Sequence, residues 1–544
     1  MKINYKIFGL VMFVMLVCCV SAASAADADN ITVPDDTDVI EIDGAVDSVE
    51  VVEVDESVDS FSDANQNDDS SDNVGHKVKV VTINDGDCSR YFDTNGYLND
   101  TSITGLTFDG NFNAKSFGNF KINRTIDLNV AGATFNGVSF DLLSDGLILD
   151  GATFINNARP ANNAYVYVNA NNAIVQNLNV NLVAGANVDY FAISVENANN
   201  VQILNNVITY TCNYANSANY NYVIRVEGGD KVEVSGNNIT AYLPLKDVDF
   251  SQPYPSIYTD LVAGVAIQSS SNFVFTNNKL NVTVSRNSTG FPTLDAFIIV
   301  DCEDAYIAGN TIIEIDNETR PGNNNYLYAI DVYQCYGITI DNNTIRLESQ
   351  GGSIIPGTIN GTGAAYGIQL TGGHTGVTIS NNNINTSNNG PNCGIYSQNF
   401  IDRTELNIIG NTIYVEGNAS SSHFWSLVTG MELGDDYAYV EGNTITVLNK
   451  AVFNTGDNVY GISYSQWCPR DHTYEIYDNT INVINGDYAV YLLNAIDSRV
   501  EENCLDTTNY CCDNAVVIGS GSNNNVSDNY CTQCPNCPNC PGCP

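Results

Sequence analysis

Few side chains in this 544-residue chain could carry acid–base or metal chemistry, and their spacing narrows the choice. Asp301 and Asp331 fall in two neighbouring sequence repeats. If those repeats stack side by side, the two carboxylates stand ~5 Å apart, the minimum equipment for acid–base cleavage of a glycosidic bond. A base is harder to find. Arg225 lies in the same column but three repeats from Asp331, about 15 Å along the stack, too far to share one site. With only four histidines in the chain and no convergent constellation, the expectation is a protein that is not an enzyme. Cysteines are the other chemical signal. "CTQCPNCPNCPGCP" places Cys531, Cys534, Cys537, Cys540 and Cys543 at every third position. Cys531 takes a slot in the last repeat, which leaves four tail thiols. In a polyproline II tail they line one edge about 9 Å apart, suited to cross-links with another chain. If each Cys-Pro-X-Cys closes a turn, four thiolates surround Zn²⁺ or iron. Attachment or cross-linking is the preferred of the two readings. Elsewhere, Cys302 and Cys335 on adjacent repeats either pair or stay buried thiols, and Cys504, Cys511 and Cys512 clamp the last repeats. No cofactor is expected beyond these, apart from a Ca²⁺ at no fixed place in the acidic loops.

The elements that position these residues come from a repeat. Aligning the chain on one asparagine gives matches at Asn206, Asn237, Asn278, Asn310, Asn343, Asn382, Asn411, Asn443, Asn479, Asn503 and Asn529. Three residues earlier stands an apolar residue each time, from Ile203 to Val526. Two residues later stands Ile or Leu, until Cys531 breaks the pattern. The residue just before is Gly, Asn or Asp except at Glu502, and these types tolerate a left-handed backbone. The motif therefore reads strand, corner, strand, with apolar residues pointing inward on a period of two. The asparagine amide both donates and accepts, so stacked copies can form a ladder. A third strand precedes each pair, as in "FAISV", "YAIDV" and "YGIQL". Three short strands per 24 to 41 residues describe an all-β, right-handed parallel β-helix. Residues 124–530 form the rod, and 76–123 are expected to cap its first coil, since an uncovered sheet edge invites aggregation.

The flanks differ in composition. Lys2 and Lys6 precede the apolar run "IFGLVMFVMLVCCV", and "SAASAA" offers a cleavage site, so residues 1–25 read as an export signal. The run is shorter than the ~20 residues a membrane span requires, so no span is expected after cleavage. Residues 26–75 are rich in Asp, Glu, Ser and Val and read as a disordered acidic spacer. Residues 531–544 are the Cys-Pro tail. The net charge of −42 excludes nucleic acid and general attraction to anionic polymers or lipid headgroups.

The "YGI…VTI…NNTI" coils resemble the pectate-lyase-like β-helix superfamily. The export signal, the acidic spacer and the "YFDTNGYLND" stretch make the layout similar to the adhesin-like surface proteins of methanogenic archaea. That resemblance implies a cell-surface role, with extracellular glycans or partner surfaces as ligands. "GGHTG" at His374 and "GDD" at Asp435 and Asp436 look like polygalacturonase motifs, but in the wrong order and without that family's Arg-X-Lys.

Most length variation falls between the asparagine and the next "YGI" strand, so inserted loops leave the rod along one edge. The loops carry Tyr210, Tyr214, Tyr220, Tyr222, Tyr242, Tyr254 and Tyr258, whose flat faces and polar tips suit sugars. The outward column of the "YGI" strand reads Ser194, Arg225, Gln268, Ile299, Asp331, Gln369, Tyr396, Glu432, Ser463 and Tyr491, with Glu196, Glu227, Asp301 and Tyr333 one step on. Tyr214, Tyr220, Tyr254, Tyr258, Arg225 and Tyr396 are the candidate ligand contacts. The sequence thus predicts an exported adhesin-like or envelope rod that binds glycans along one edge. The alternative is a secreted polysaccharide lyase or glycoside hydrolase.

Overall fold

The computed structural model describes residues 79–155, 163–184, 190–212, 221–244, 246–247, 262–286, 292–317, 326–350, 364–401, 404–418, 427–450, 458–465, 468, 470–486, 488–508, 510–519 and 521–531. The expected export signal, the acidic spacer and the Cys-Pro tail beyond Cys531 lie outside these residues. Among the described residues no helix is long and apolar enough to cross a membrane.

The chain winds into a parallel β-helix whose coils each add one strand to three long sheets. The first sheet has 15 strands, from Asn119–Ile122 to Val516–Ile518, with Lys246–Asp247 paired antiparallel at the side of Pro292–Val300. The second has 13 short strands, from Ile148–Asp150 to Asn525–Ser527, and the third 14, from Asn111–Asn113 to Cys504–Thr507. Inward positions of all three sheets fill the bore. In one coil Ile330, Val332, Ile338, Ile340, Ile345 and Leu347 are completely buried. Each such side chain contributes roughly 1.5–3 kcal/mol by leaving water.

The expected asparagine ladder runs unbroken between the second and third sheets. Each Nδ2 donates to the Oδ1 of the equivalent asparagine in the next coil, from Asn206 to Asn529, at 2.9 to 3.1 Å. The same Nδ2 reaches back to a carbonyl of the preceding coil, as Asn237 does to Ile203 O at 2.8 Å. The same Oδ1 also accepts the backbone N–H of the preceding asparagine, as Asn237 does from Asn206 at 2.9 Å. The buried amides are thereby satisfied, which removes the cost that makes buried polar groups rare. The corner residue before each asparagine has positive φ throughout, including Glu502 at 60°.

A regularity behind "YGI" becomes visible in the first sheet. In successive coils the pairing skips one residue, such as Gly264, Ala296, Gly367 or Gly394, between an outward and an inward neighbour. A Cβ on Gly394 would stand 2.5 Å from Ile413 Cγ2 and 2.6 Å from Gly430 O, so only a very small residue fits. The skip places residues on both sides of it, such as Tyr366 and Gln369, on the outer face.

The coils begin upstream of residue 124. Asn111–Asn113 already pairs with Thr134–Asn136, and Asn119–Ile122 with Ser139–Leu142. Covering falls instead to Val80–Ile83 and a one-turn helix, Cys88–Tyr91. Phe92 packs there against Phe108, Phe117 and Phe120, with centroids 4.8 to 6.4 Å apart. These first coils lack the ladder asparagine, so the repeat pattern does not mark them.

Candidate functional site

The outer face of the first sheet collects most of the unusual side chains. Its registered column is Ser194, Arg225, Ala266, Ile298, Asp331, Gln369, Tyr396, Glu432, Ser463 and Tyr491. Ala266 and Ile298 replace the expected Gln268 and Ile299. The strands "VAGVAIQ" and "LDAFIIV" have no polar alternation to fix their register by eye. A parallel column on the far side of the skip reads Phe191, Tyr222, Ala263, Asp295, Tyr328, Tyr366 and Cys393.

Much of this face is buried rather than solvated. Ser194, Asp331, Gln369, Tyr396, Glu432 and Ser463 are all less than a tenth exposed. Phe191, Tyr222, Ala266, Ile298, Val300 and Tyr333 form a second apolar cluster, separate from the bore. A shallow hollow lies over it, lined by Tyr222, Arg225, Ala266, Gln268, Ile298 and Val300. Phe191 stacks on Tyr222 at 5.8 Å, and the Arg225 guanidinium sits 5.3 Å above the Phe191 ring. Arg225 is held by Glu196 at 2.6 Å and by Glu227, and Tyr167 donates to the same Glu196 carboxylate at 2.9 Å. A guanidinium fixed on both sides is a rigid donor fork over an apolar floor.

The expected Asp301–Asp331 pair does not form. Asp301 is exposed in the corner beyond the strand, at φ 52°, while Asp331 pairs directly with Ile298 inside it. The partner that the structure supplies is Asp295, one coil before Asp331 on the same face. Both are buried, and neither Asp295 oxygen has a hydrogen-bond partner among the described residues. Gln369 Nε2 donates to one Asp331 oxygen at 3.2 Å. Burial raises Asp331 to about 7 despite that bond. Asp295 is raised well above the carboxylate range by burial first, then by the Asp331 and Glu314 charges. Glu314, which replaces an inward Val or Leu, is raised by burial and then by Asp316. Further along, burial lifts Glu432 to about 8. The sequence signal was an acid interrupting an apolar strand, as in "TLDAFII" and "TIIEID".

A second cluster sits in the corner after the first sheet, where the fold unites His374 with Asp435. His374 Nε2 lies 2.9 Å from Asp435 Oδ1, with both side chains wholly buried. Ser397 donates to the other Asp435 oxygen, and Asn399 Nδ2 donates to Asp435 at 3.1 Å and to His374 O at 2.7 Å. Burial alone would raise Asp435, but His374, Ser397 and Asn399 overcome it and hold the carboxyl below its usual range. His472 contacts Asp435 O at 2.7 Å through Nδ1 and Cys468 O at 2.9 Å through Nε2. Enclosed on every side, this network takes over the corner's hydrogen bonding from simpler small residues and staples neighbouring coils together. Asp436 remains at its rim, 3.6 Å from Arg470.

The remaining expected contacts divide. Tyr214, Tyr220, Tyr254 and Tyr258 lie outside the described residues, as do Cys534, Cys537, Cys540 and Cys543 and most of the acidic loops. Tyr210 is not a loop ligand: it is an inward residue with no exposure, because its strand continues farther than the composition suggests. Tyr396 is nearly buried and donates to Gln398 Oε1 at 2.9 Å. Cys302 and Cys335 are stacked buried thiols without a disulfide, the Cys335 sulfur 3.4 Å from the Cys302 amide nitrogen.

No protein-family model and no curated protein sequence matches the chain. Several solved structures are similar to the chain at low identity. The Dettilon tailspike protein is 14% identical with a TM-score of 0.40, covering 74% of this chain, which spans 62% of the tailspike. The A-module of a mannuronan C-5 epimerase from Azotobacter vinelandii is 11% identical at TM-score 0.35, over 74% of this chain and 91% of its own. The catalytic domain of a GH87 α-1,3-glucanase, solved with nigerose, is 12% identical at 0.31, over 78% and 65%.

Proposed function

We propose that the protein is an exported, cell-surface adhesin-like rod that binds neutral glycans along the outer face of its first sheet. One observation carries this reading. That face holds a contiguous apolar and aromatic cluster outside the bore, each member less than a tenth exposed, with Arg225, Glu196, Glu227 and Gln268 as its hydrogen-bonding rim. Flat apolar floor plus fixed donors and acceptors is the chemistry that grips a sugar ring. Two rim carboxylates against one guanidinium, on a chain of net charge −42, disfavour uronates and sulfated sugars. The apolar N-terminal run with its small-residue cleavage site supports export. The test is a glycan array probed with the full chain and with Arg225→Met and Ile298→Asp variants. Each variant should weaken binding about tenfold, the size of one lost buried contact. Absence of glycan binding, or binding by both variants equal to that of the parent chain, would discard the proposal.

A second reading, a secreted polysaccharide lyase or glycoside hydrolase, draws on Asp295 and Asp331. Two buried carboxyls on neighbouring coils, both raised by burial, are the acid–base candidates of this face. Incubating the chain with polyuronides and neutral glycans, with and without Ca²⁺, decides between them. Chain cleavage that Asp331→Asn abolishes would establish the enzyme reading, and intact polymers throughout would remove it.

A further inference from the structure

The last coil of a β-helix has no coil above it, so its sheet edges and bore need a closure. Here a tight turn folds back along the edge of the third sheet's last strand, Cys504–Thr507. Thr507 and Tyr510 lock the turn through a backbone bond of 2.9 Å and a hydroxyl bond of 2.8 Å. Asp506 then bridges antiparallel to Cys511. The 3-10 turn Cys512–Ala515 follows, and its Asp513 accepts the last ladder amide, Asn529 Nδ2, at 2.8 Å. Tyr530 meanwhile stacks on Cys504 of the coil below. The turn and the last coil thus bring three sulfur atoms from two chain segments together. Those of Cys511, Cys512 and Cys531 lie within 4.8 Å of one another, the one such trio of ligand-type residues among the described residues. Cys511 is buried and stands in a disulfide, while Cys512 and Cys531 are half-buried.

We propose that Cys511, Cys512 and Cys531 form a thiolate site for a soft divalent cation of the zinc class, which locks the open end of the rod once the Cys511 disulfide is reduced. Four-coordinate zinc with Zn–S bonds near 2.3 Å sets its sulfur ligands about 3.8 Å apart, so the trio needs only small adjustments. Soft thiolates select such a cation over Ca²⁺ or Mg²⁺, which take oxygen ligands. The chemistry balances with an external dithiol as reductant. The dithiol gives two electrons and two protons to the Cys511 disulfide, becomes a cyclic disulfide, and leaves Cys511 and the sulfur formerly bonded to it as two thiols. Cation binding then displaces the three thiol protons, and water completes the coordination. The lock ties residues 511–512 to residue 531 and so fixes the closing turn onto the final ladder step.

Cobalt titration of the full chain, reduced with a dithiol and stripped by a chelator, tests this. One equivalent of Co²⁺ should bind with the near-ultraviolet thiolate-to-metal absorption. Cys512→Ser and Cys531→Ser should each weaken it at least about tenfold. A chain with Cys534, Cys537, Cys540 and Cys543 all replaced by serine should bind as the parent does. Zn²⁺ should also shield Cys512 and Cys531 of the unmutated protein from alkylation, a readout that no folding defect can imitate. The proposal is overturned if the reduced chain takes up no Co²⁺, if binding is lost in the tail variant, or if Zn²⁺ leaves the alkylation of both cysteines unchanged.

Discussion

The asparagine corner and the outer face of the first sheet are both polar features of one rod, but they solve opposite problems. At the corner every coil presents the same amide, and each amide finds the same partners above and below. Periodicity there means mutual satisfaction. On the outer face each coil presents something different: an arginine held by two glutamates, an isoleucine, an aspartate, a tyrosine, a glutamate. The stack supplies no repeating partner for these groups, and oxygens of Asp295, Asp331 and Glu432 remain unpaired among the described residues. A solenoid builds its frame from what repeats and leaves chemistry to what does not.

Breaking the regular side should cost most. Asn343 makes four ladder bonds: it accepts from Asn310 N and Nδ2 and donates to Ile307 O and Asn382 Oδ1. Asn343→Ala removes all four and orphans buried groups on both neighbours, so it should destabilise the rod by about 4 kcal/mol. Urea unfolding measures this, and a loss below about 1 kcal/mol would mean that the ladder is incidental to stability.

The irregular side should show itself through pH. Asp331 is raised to about 7 and Glu432 to about 8 in the folded protein, above their unfolded values. Their contribution is therefore fully present below the unfolded carboxyl range. It is lost as pH rises through about 7 for Asp331 and about 8 for Glu432. Melting temperature should fall between pH 5 and pH 8, an effect of at most about 4 kcal/mol for Asp331. Asp331→Asn should flatten that slope. A melting temperature that rises over this range, or an unchanged slope in the variant, would contradict the buried carboxyl assignment.

The smallest effect is expected at Asp301. It is exposed in a corner, apart from the carboxyl pair, so Asp301→Asn should change stability by less than about 0.5 kcal/mol. It should leave glycan binding and any cleavage untouched. A marked effect on either would return Asp301 to the site and sharpen where the irregular face ends.

Legibility followed the same divide. Asn206 through Asn529 could be aligned in the sequence because each amide in the buried ladder bonds to the next, and the fold imposes that demand coil after coil. The coil upstream of residue 124 was missed because Gly110 occupies its ladder position, accepting the backbone N–H of Thr134 at 3.0 Å, and nothing in its sequence advertises the role. Asp295 was missed because the skipped residue at Ala296 reverses the simple alternation of faces, which only the pairing register displays. His374 and Asp435 were read as separate motifs because 61 residues part them, although the winding sets their side chains 2.9 Å apart.

By itself the sequence determined the winding: a period in apolar residues, a left-handed corner and a stacking amide are local demands, and local demands are written in local residues. Tertiary structure alone decided which outward side chains became neighbours, because register between coils depends on insertions of unequal length. It also decided that those side chains are buried, and burial is what turns ordinary aspartates and glutamates into groups with altered proton affinity. Closure at residue 531 belongs to the same class, since three cysteines meet there only because the chain folds back over its own last turn.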